Sequence, residues 1–73
     1  MYYRDEKFLK KFGANLNRVR KIKGISQLGL ANELGTSQSH IWKIESGMVD
    51  PSLSRVSAIA KALKVPLKEL FDF

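Results

Sequence analysis

Apolar residues recur along this chain at helical spacing, and nowhere do they alternate with polar ones for long enough to predict a strand. Phe8, Phe12, Leu16, Val19 and Ile22 fall three or four residues apart. That spacing predicts one buried stripe on a helix from about Asp5 to Lys23. Asp5 and Glu6 sit in its first turn and Arg20, Lys21 and Lys23 in its last, as the helix dipole favours. Gly24 suits a C-terminal stop. Gly13, inside the helix, costs about 1 kcal/mol relative to alanine, so packing has to compensate. Ser26 then makes a good N-cap for a short helix with Leu30, Ala31 and Leu34 on its apolar face, ended by Gly35. Ser37 caps a third helix, with Ile41 and Ile44 inward and Gly47 at its end. After a turn at "VDPS", Ser52 caps a fourth, with Leu53, Val56, Ile59, Ala60 and Leu63 inward. Pro66 suits the first position of a last short helix through Leu70 and Phe71. The expectation is an all-α chain: a compact five-helix bundle forming one domain over residues 1–73.

The stretch "GISQLGLANELGTSQSHIWKIESG", residues 24–47, holds the second and third of these helices. Two short helices joined by so tight a glycine turn cannot lie side by side, so they must cross steeply. Close crossing needs a small residue, and Ala31 stands where one is required. Ile41 and Ile44 face back to Leu30 and Leu34. Gln38, Ser39, Trp42, Lys43 and Ser46 are left to project outward. That is the layout of a helix-turn-helix, here about residues 27–46, whose second helix enters the DNA major groove. An ordinary helical corner is the plain alternative. The order Gln27, Ala31, Gly35, Ile41, Ile44 argues against it.

Charge points the same way. Lys and Arg number 13 against 7 acids, a net charge of +6, which favours a polyanionic partner: nucleic acid or an anionic membrane surface. The last stretch, "VPLKELFDF", carries Glu69 and Asp72 and few basic residues, so a membrane surface is not expected. No run approaches the ~20 apolar residues of a membrane span. The N-terminal "MYYRDEKFLKK" lacks the apolar core of a secretion signal. A cytoplasmic protein is the expectation. There is no cysteine and a single histidine, His40, so no metal site and no cofactor are expected. No titratable pair is placed for acid–base work and no nucleophile has a base beside it, which argues against an enzyme. No small-molecule ligand is expected either.

At these residues the chain resembles a known family. "GISQ", "LANELG", "IWKIESG" and "PSLSRVSAIAKAL" occur in the order and spacing of the Cro and phage-repressor type of helix-turn-helix regulators, and the resemblance runs from about Phe12 to Phe71. It implies a five-helix repressor-type bundle and a double-stranded DNA partner. It also implies roles for single residues. Gln27 contacts backbone phosphate at the start of the second helix. Gln38 and Ser39 open the recognition helix and touch base edges; a glutamine amide can bond adenine N6 and N7 together. Lys43 reaches a guanine or a phosphate. Ser37, Ser46 and the backbone after Gly47 meet phosphate, as do Arg18 and Lys23 late in the first helix. Arg20 matches a position that pairs with an acid near the end of the third helix, here Glu45, in a structural ion pair.

Three positions depart from the family pattern. In "QLGL", Gly29 weakens the second helix, and Leu28 either covers the edge of the first helix or stands exposed to touch a thymine methyl or a partner protein. Trp42 replaces something small or polar; it either joins the base contacts, against a deoxyribose or thymine methyl, or folds back onto the domain. His40 points between core and DNA, as a neutral hydrogen-bonding residue. Lys7, Lys10 and Lys11 read as solubility charge, and Lys61, Lys64 and Lys68 as solvent-facing. One half-site read by a few side chains binds weakly, and family members dimerise on half-sites about one helical turn apart. The expected homodimer surface is the turn after Gly47 with the last helix, where Leu67, Leu70, Phe71 and Phe73 are more apolar than a free end requires; some of the four must finish the core and the rest make the patch. The function expected is a sequence-specific transcriptional regulator on an inverted repeat. An antitoxin-like or co-regulatory module binding protein through the same fold is the alternative.

Overall fold

The computed structural model describes residues 3–73; the first two residues of the N-terminal stretch lie outside it. The described chain is all-helical. It runs α1 (Glu6–Ile22), α2 (Gln27–Leu34), α3 (Gln38–Glu45), α4 (Leu53–Leu63) and a closing 3₁₀ helix (Leu67–Phe71).

Local chemistry fixes where each helix starts. Asp5, Ser26, Ser37 and Ser52 are the N-caps of α1 to α4, each side-chain oxygen accepting from the backbone N–H three residues on. Such a cap contributes about 1 kcal/mol over alanine. Asp5 is therefore a cap rather than a first-turn residue. Pro66 precedes the 3₁₀ helix in extended conformation, one position earlier than its sequence suggests.

The helix ends share one device. Ile25, Thr36, Met48 and Val65 each donate a backbone N–H to the carbonyl five residues back, and the residue before each is left-handed: Gly24, Gly35, Gly47 and Lys64. This is the Schellman arrangement, which satisfies carbonyls the helix leaves unpaired. Lys64, at φ 57°, carries a Cβ where glycine would carry none. Lys64→Gly should therefore raise stability by about 1 kcal/mol, a rise of roughly 4–8 °C in a thermal melt of a domain this size.

The core joins Phe12, Leu16 and Val19 of α1 to Leu30 and Ala31 of α2, Ile41 and Ile44 of α3, Val56, Ile59, Ala60 and Leu63 of α4, and Leu70. Five apolar residues differ from the sequence expectation. Phe8 remains 43% exposed, because only the chain end covers the first turn of α1: its ring lies against Phe71 and Phe73. Leu9 is buried in its place, on the wall of a small cavity that Asp50, Pro51 and Val56 also line. Ile22, at the last position of α1, extends past the core and is exposed. Leu53 opens α4 at the rim of the bundle and is 87% exposed. Leu70, assigned to the dimer surface from sequence, is fully buried. It faces the core on the short 3₁₀ turn and leaves its neighbours Leu67 and Phe71 outside.

Candidate nucleic-acid interface

The α2–α3 unit is held by one left-handed residue, Gly35, which sends the chain from the end of α2 into the Ser37 cap in two steps. Ile41 and Ile44 brace α3 from behind. Its other face is open: Gln38, Ser39, Trp42 and Lys43 are all exposed. Trp42 is half exposed.

Behind α3, α1 approaches so closely that no side chain fits between them. A Cβ on Gly13 would come within 3.0 Å of the Ile44 and Glu45 carbonyl oxygens. Gly47 is similarly tight against the Lys10 backbone. Arg4 donates from one guanidinium nitrogen to the Gly47 and Met48 carbonyls, fastening the segment before α1 to the turn after α3.

Glu45 is the polar centre of this junction. Its Oε2 lies 2.6 Å from Arg20 Nε. Its Oε1 accepts from Asn17 Nδ2 at 2.8 Å, Gln27 Nε2 at 3.0 Å and Arg20 Nη2 at 3.2 Å. Arg20 also donates to the Ile25 carbonyl at 2.9 Å. The two side chains are only 8% and 5% exposed. Burial is the largest single influence on the Glu45 carboxyl and pushes its pKa up. The hydrogen bonds from Arg20, Asn17 and Gln27, with the Arg20 charge, outweigh it and hold the group below its ordinary 4.5. Glu45 is thus the ionised anchor to which α1, α2 and α3 are all tied.

The structure brings some of the sequence-derived site residues together and separates others. Gln27 and Gln38 meet, with Gln38 Nε2 donating to Gln27 Oε1 at 3.4 Å. Arg20 and Glu45 are paired. Ser37 Oγ accepts from His40 N, which leaves its hydroxyl proton free to donate to a ligand. Ser46, the C-cap of α3, is half-buried. Arg18 and Lys23 are not part of this group. They line a shallow depression between the C-terminal half of α1 and the stretch after α4, with Lys64, Val65, Pro66 and Glu69, and Arg18 donates twice to Asn15 Oδ1. Leu67, Phe71 and Phe73 are 50%, 38% and 50% exposed.

Asn15 and Asn17 were missed from sequence. Asn15 is buried and donates to the Glu69 carbonyl at 2.8 Å, tying the 3₁₀ helix to α1. Its place among Phe12, Leu16 and Val19 was the available signal. Asn17 stands three residues before Arg20, the spacing at which helical side chains share a target. Among the described residues no group of three His, Asp or Glu side chains is placed to hold a metal ion. No helix among them is long and apolar enough to cross a membrane.

A steeply crossed helix pair with a braced, polar outer helix defines a helix-turn-helix protein. The chain belongs to the helix-turn-helix family of HTH_3 type, which matches residues 16–70, a family of DNA-binding transcriptional regulators and not of enzymes. It is 41% identical over 61 residues to the HTH-type transcriptional regulator SlrR of Bacillus subtilis, covering 82% of this chain and 40% of that protein. It is 38% identical over 58 residues to an uncharacterized HTH-type transcriptional regulator of Methanocaldococcus jannaschii, covering 80% of this chain and 88% of the relative. Among solved structures it resembles the restriction-modification controller protein C.AhdI of Aeromonas hydrophila, with a TM-score of 0.86 and 36% identity over 90% of this chain and 96% of that one.

Proposed function

We propose that this protein is a sequence-specific transcriptional regulator of the controller type, acting in the cytoplasm as a homodimer on an inverted repeat in double-stranded DNA. The described residues 3–73 act as a single DNA-binding domain. The observation that carries the reading is the outer face of α3, where Gln38, Ser39, Trp42 and Lys43 stand exposed on a helix braced by buried Ile41 and Ile44. A helix so presented fits the major groove. Gln38 and Ser39 read base edges at its start, Lys43 one turn on, and Trp42 lays its half-exposed ring against sugar or thymine methyl.

Gln27, Ser37 and Ser46 flank that face and hold phosphate. Arg18 and Lys23 contribute positive field from the C-terminal half of α1, part of the net +6. Each phosphate neutralised adds about 0.9 to the salt slope of binding. The second copy docks on the exposed Leu67, Phe71 and Phe73, joined by half-exposed Phe8.

The test is selection from random duplex DNA at near-physiological salt, with the parent protein and with Gln38→Ala. The expected result is a two-fold motif with half-sites about ten base pairs apart, and one position per half-site that loses its preference in the variant. A weak, sequence-independent binding that fades with salt would instead direct the search to a protein partner, as for an antitoxin-like module.

A further inference from the structure

The turn that follows α3 has little of its own to offer a DNA backbone. Its first N–H groups are already engaged: Ser46, Gly47 and Met48 donate to the carbonyls of Trp42, Ile44 and Lys43. Its side chains include no cation. Residues 46–52 read "SGMVDPS", and the one ionisable group among them, Asp50, is an exposed acid. The C-terminal end of α3 adds the negative pole of a helix dipole. A phosphate approaching this turn meets negative potential unless positive charge arrives from elsewhere in the chain.

The start of α1 brings that charge. Arg4 Nη2 donates to the Gly47 carbonyl at 3.3 Å and also to the Met48 carbonyl. Both bonds use one nitrogen, and a guanidinium carries three further N–H groups on Nε and Nη1, in a planar fork that matches phosphate. Lys10 lies against the same turn. A Cβ on Gly47 would stand 2.7 Å from Lys10 Cγ and 2.9 Å from its backbone N and Cα. The lysine stem therefore starts in contact with the turn, and its exposed side chain carries the ammonium on a flexible four-carbon chain. We infer that Arg4 and Lys10 together bind a DNA backbone phosphate beside the turn after α3. From sequence Lys10 reads as solubility charge; its packing on Gly47 gives it a site. Gly47 is what allows the approach, since any side chain there would push Lys10 away.

The inference rests on the protein binding duplex DNA, and the experiment separates the two claims. Affinity for the duplex selected by the parent is measured over a range of salt concentrations. The proteins are the parent, Arg4→Gln, Lys10→Gln, Arg4→Lys and, as a control on the outer face of α4, Lys61→Gln. Helical circular dichroism and a thermal melt establish that each is folded. Arg4→Gln and Lys10→Gln should each lower the slope of log affinity against log salt, by about 0.9 for each phosphate no longer neutralised in each bound subunit. Each should weaken mismatched duplexes to the same degree as the selected one, because phosphate contacts carry no sequence information. Arg4→Lys, still charged, should keep the parent slope, and so should Lys61→Gln. If Arg4→Gln and Lys10→Gln weaken binding while the slope stays at the parent value, the two residues only hold the turn in place, and the phosphate site is overturned. If the parent binds no duplex in a salt-dependent way, the DNA-binding reading itself fails and the phosphate site falls with it.

Discussion

Glu45→Ala should be the most damaging side-chain truncation outside the apolar core, costing about 3–5 kcal/mol because it leaves the Arg20 guanidinium buried without its counter-ion. A single core in a domain this small supplies on the order of 3–5 kcal/mol in total. The variant should therefore be largely unfolded at room temperature, seen as loss of helical circular dichroism. Replacing both partners, Arg20→Met with Glu45→Met, should recover most of the loss. Asn17 and Gln27 are only partly buried, so water can take over their freed N–H groups. A melt of Glu45→Ala within a few degrees of the parent would show that the pair is solvated.

The same linkage gives a pH dependence with a definite sign. The Glu45 pKa is lower in the folded than in the unfolded chain, so its contribution is full above the ordinary 4.5 and is lost as pH falls through the depressed folded value. Acid should destabilise the parent more than the double variant, which has no carboxylate at 45 to titrate.

Gly13→Ala is the second large effect, and it runs against helix propensity. In an exposed helix interior the change gains about 1 kcal/mol. Here the added methyl would meet backbone carbonyls of Ile44 and Glu45 closer than 3.0 Å, and backbone cannot rotate away as a side chain can. The helices must separate, at a net cost of about 1–3 kcal/mol. The variant should melt below the parent and bind DNA more weakly even at temperatures where it is folded, since α3 would be displaced from its support. An unchanged or higher melting temperature would show that α1 and α3 can part without penalty. Gly29, the other glycine within a helix, has only side-chain atoms of Ser26 and Ile25 near its missing Cβ and shows no such constraint.

These residues show where sequence was readable. Three of the four caps, Ser26, Ser37 and Ser52, were legible because a small polar side chain before an apolar run bonds only to its own helix, which local order determines; Asp5, one of two neighbouring acids, read as a first-turn residue. The glycine stops were legible for the same reason. What depended on a partner far along the chain was not. Gly13 could be read as a cost, but the carbonyls that require it lie in another helix. Phe8 and Leu9 lie side by side at the start of α1, and only the packing of segments far along the chain decides that Leu9 is the buried one. Among Leu67, Leu70, Phe71 and Phe73, equal hydrophobicity hid the fact that a 3₁₀ turn sends Leu70 inward. In the candidate interface Gln27, Gln38, Arg20 and Glu45 were each visible. Asn17 was not, nor was the order in which the side chains hand hydrogen bonds to one another.

The bond from Asn15 to the Glu69 carbonyl spans 54 positions, and with the Phe12–Phe71 ring contact at 5.2 Å it joins the first helix to the last turn. During synthesis α1 emerges early and its covering strap emerges late. The helix-turn-helix unit can assemble from neighbouring residues in the meantime, but the side of α1 that carries Phe8 and Phe12 stays wet until Leu70 and Phe71 have left the ribosome. Closure of that long loop brings its entropic cost in one step, which makes the finished core an all-or-nothing event that waits for residues 67–71 rather than a gradual accretion along the chain.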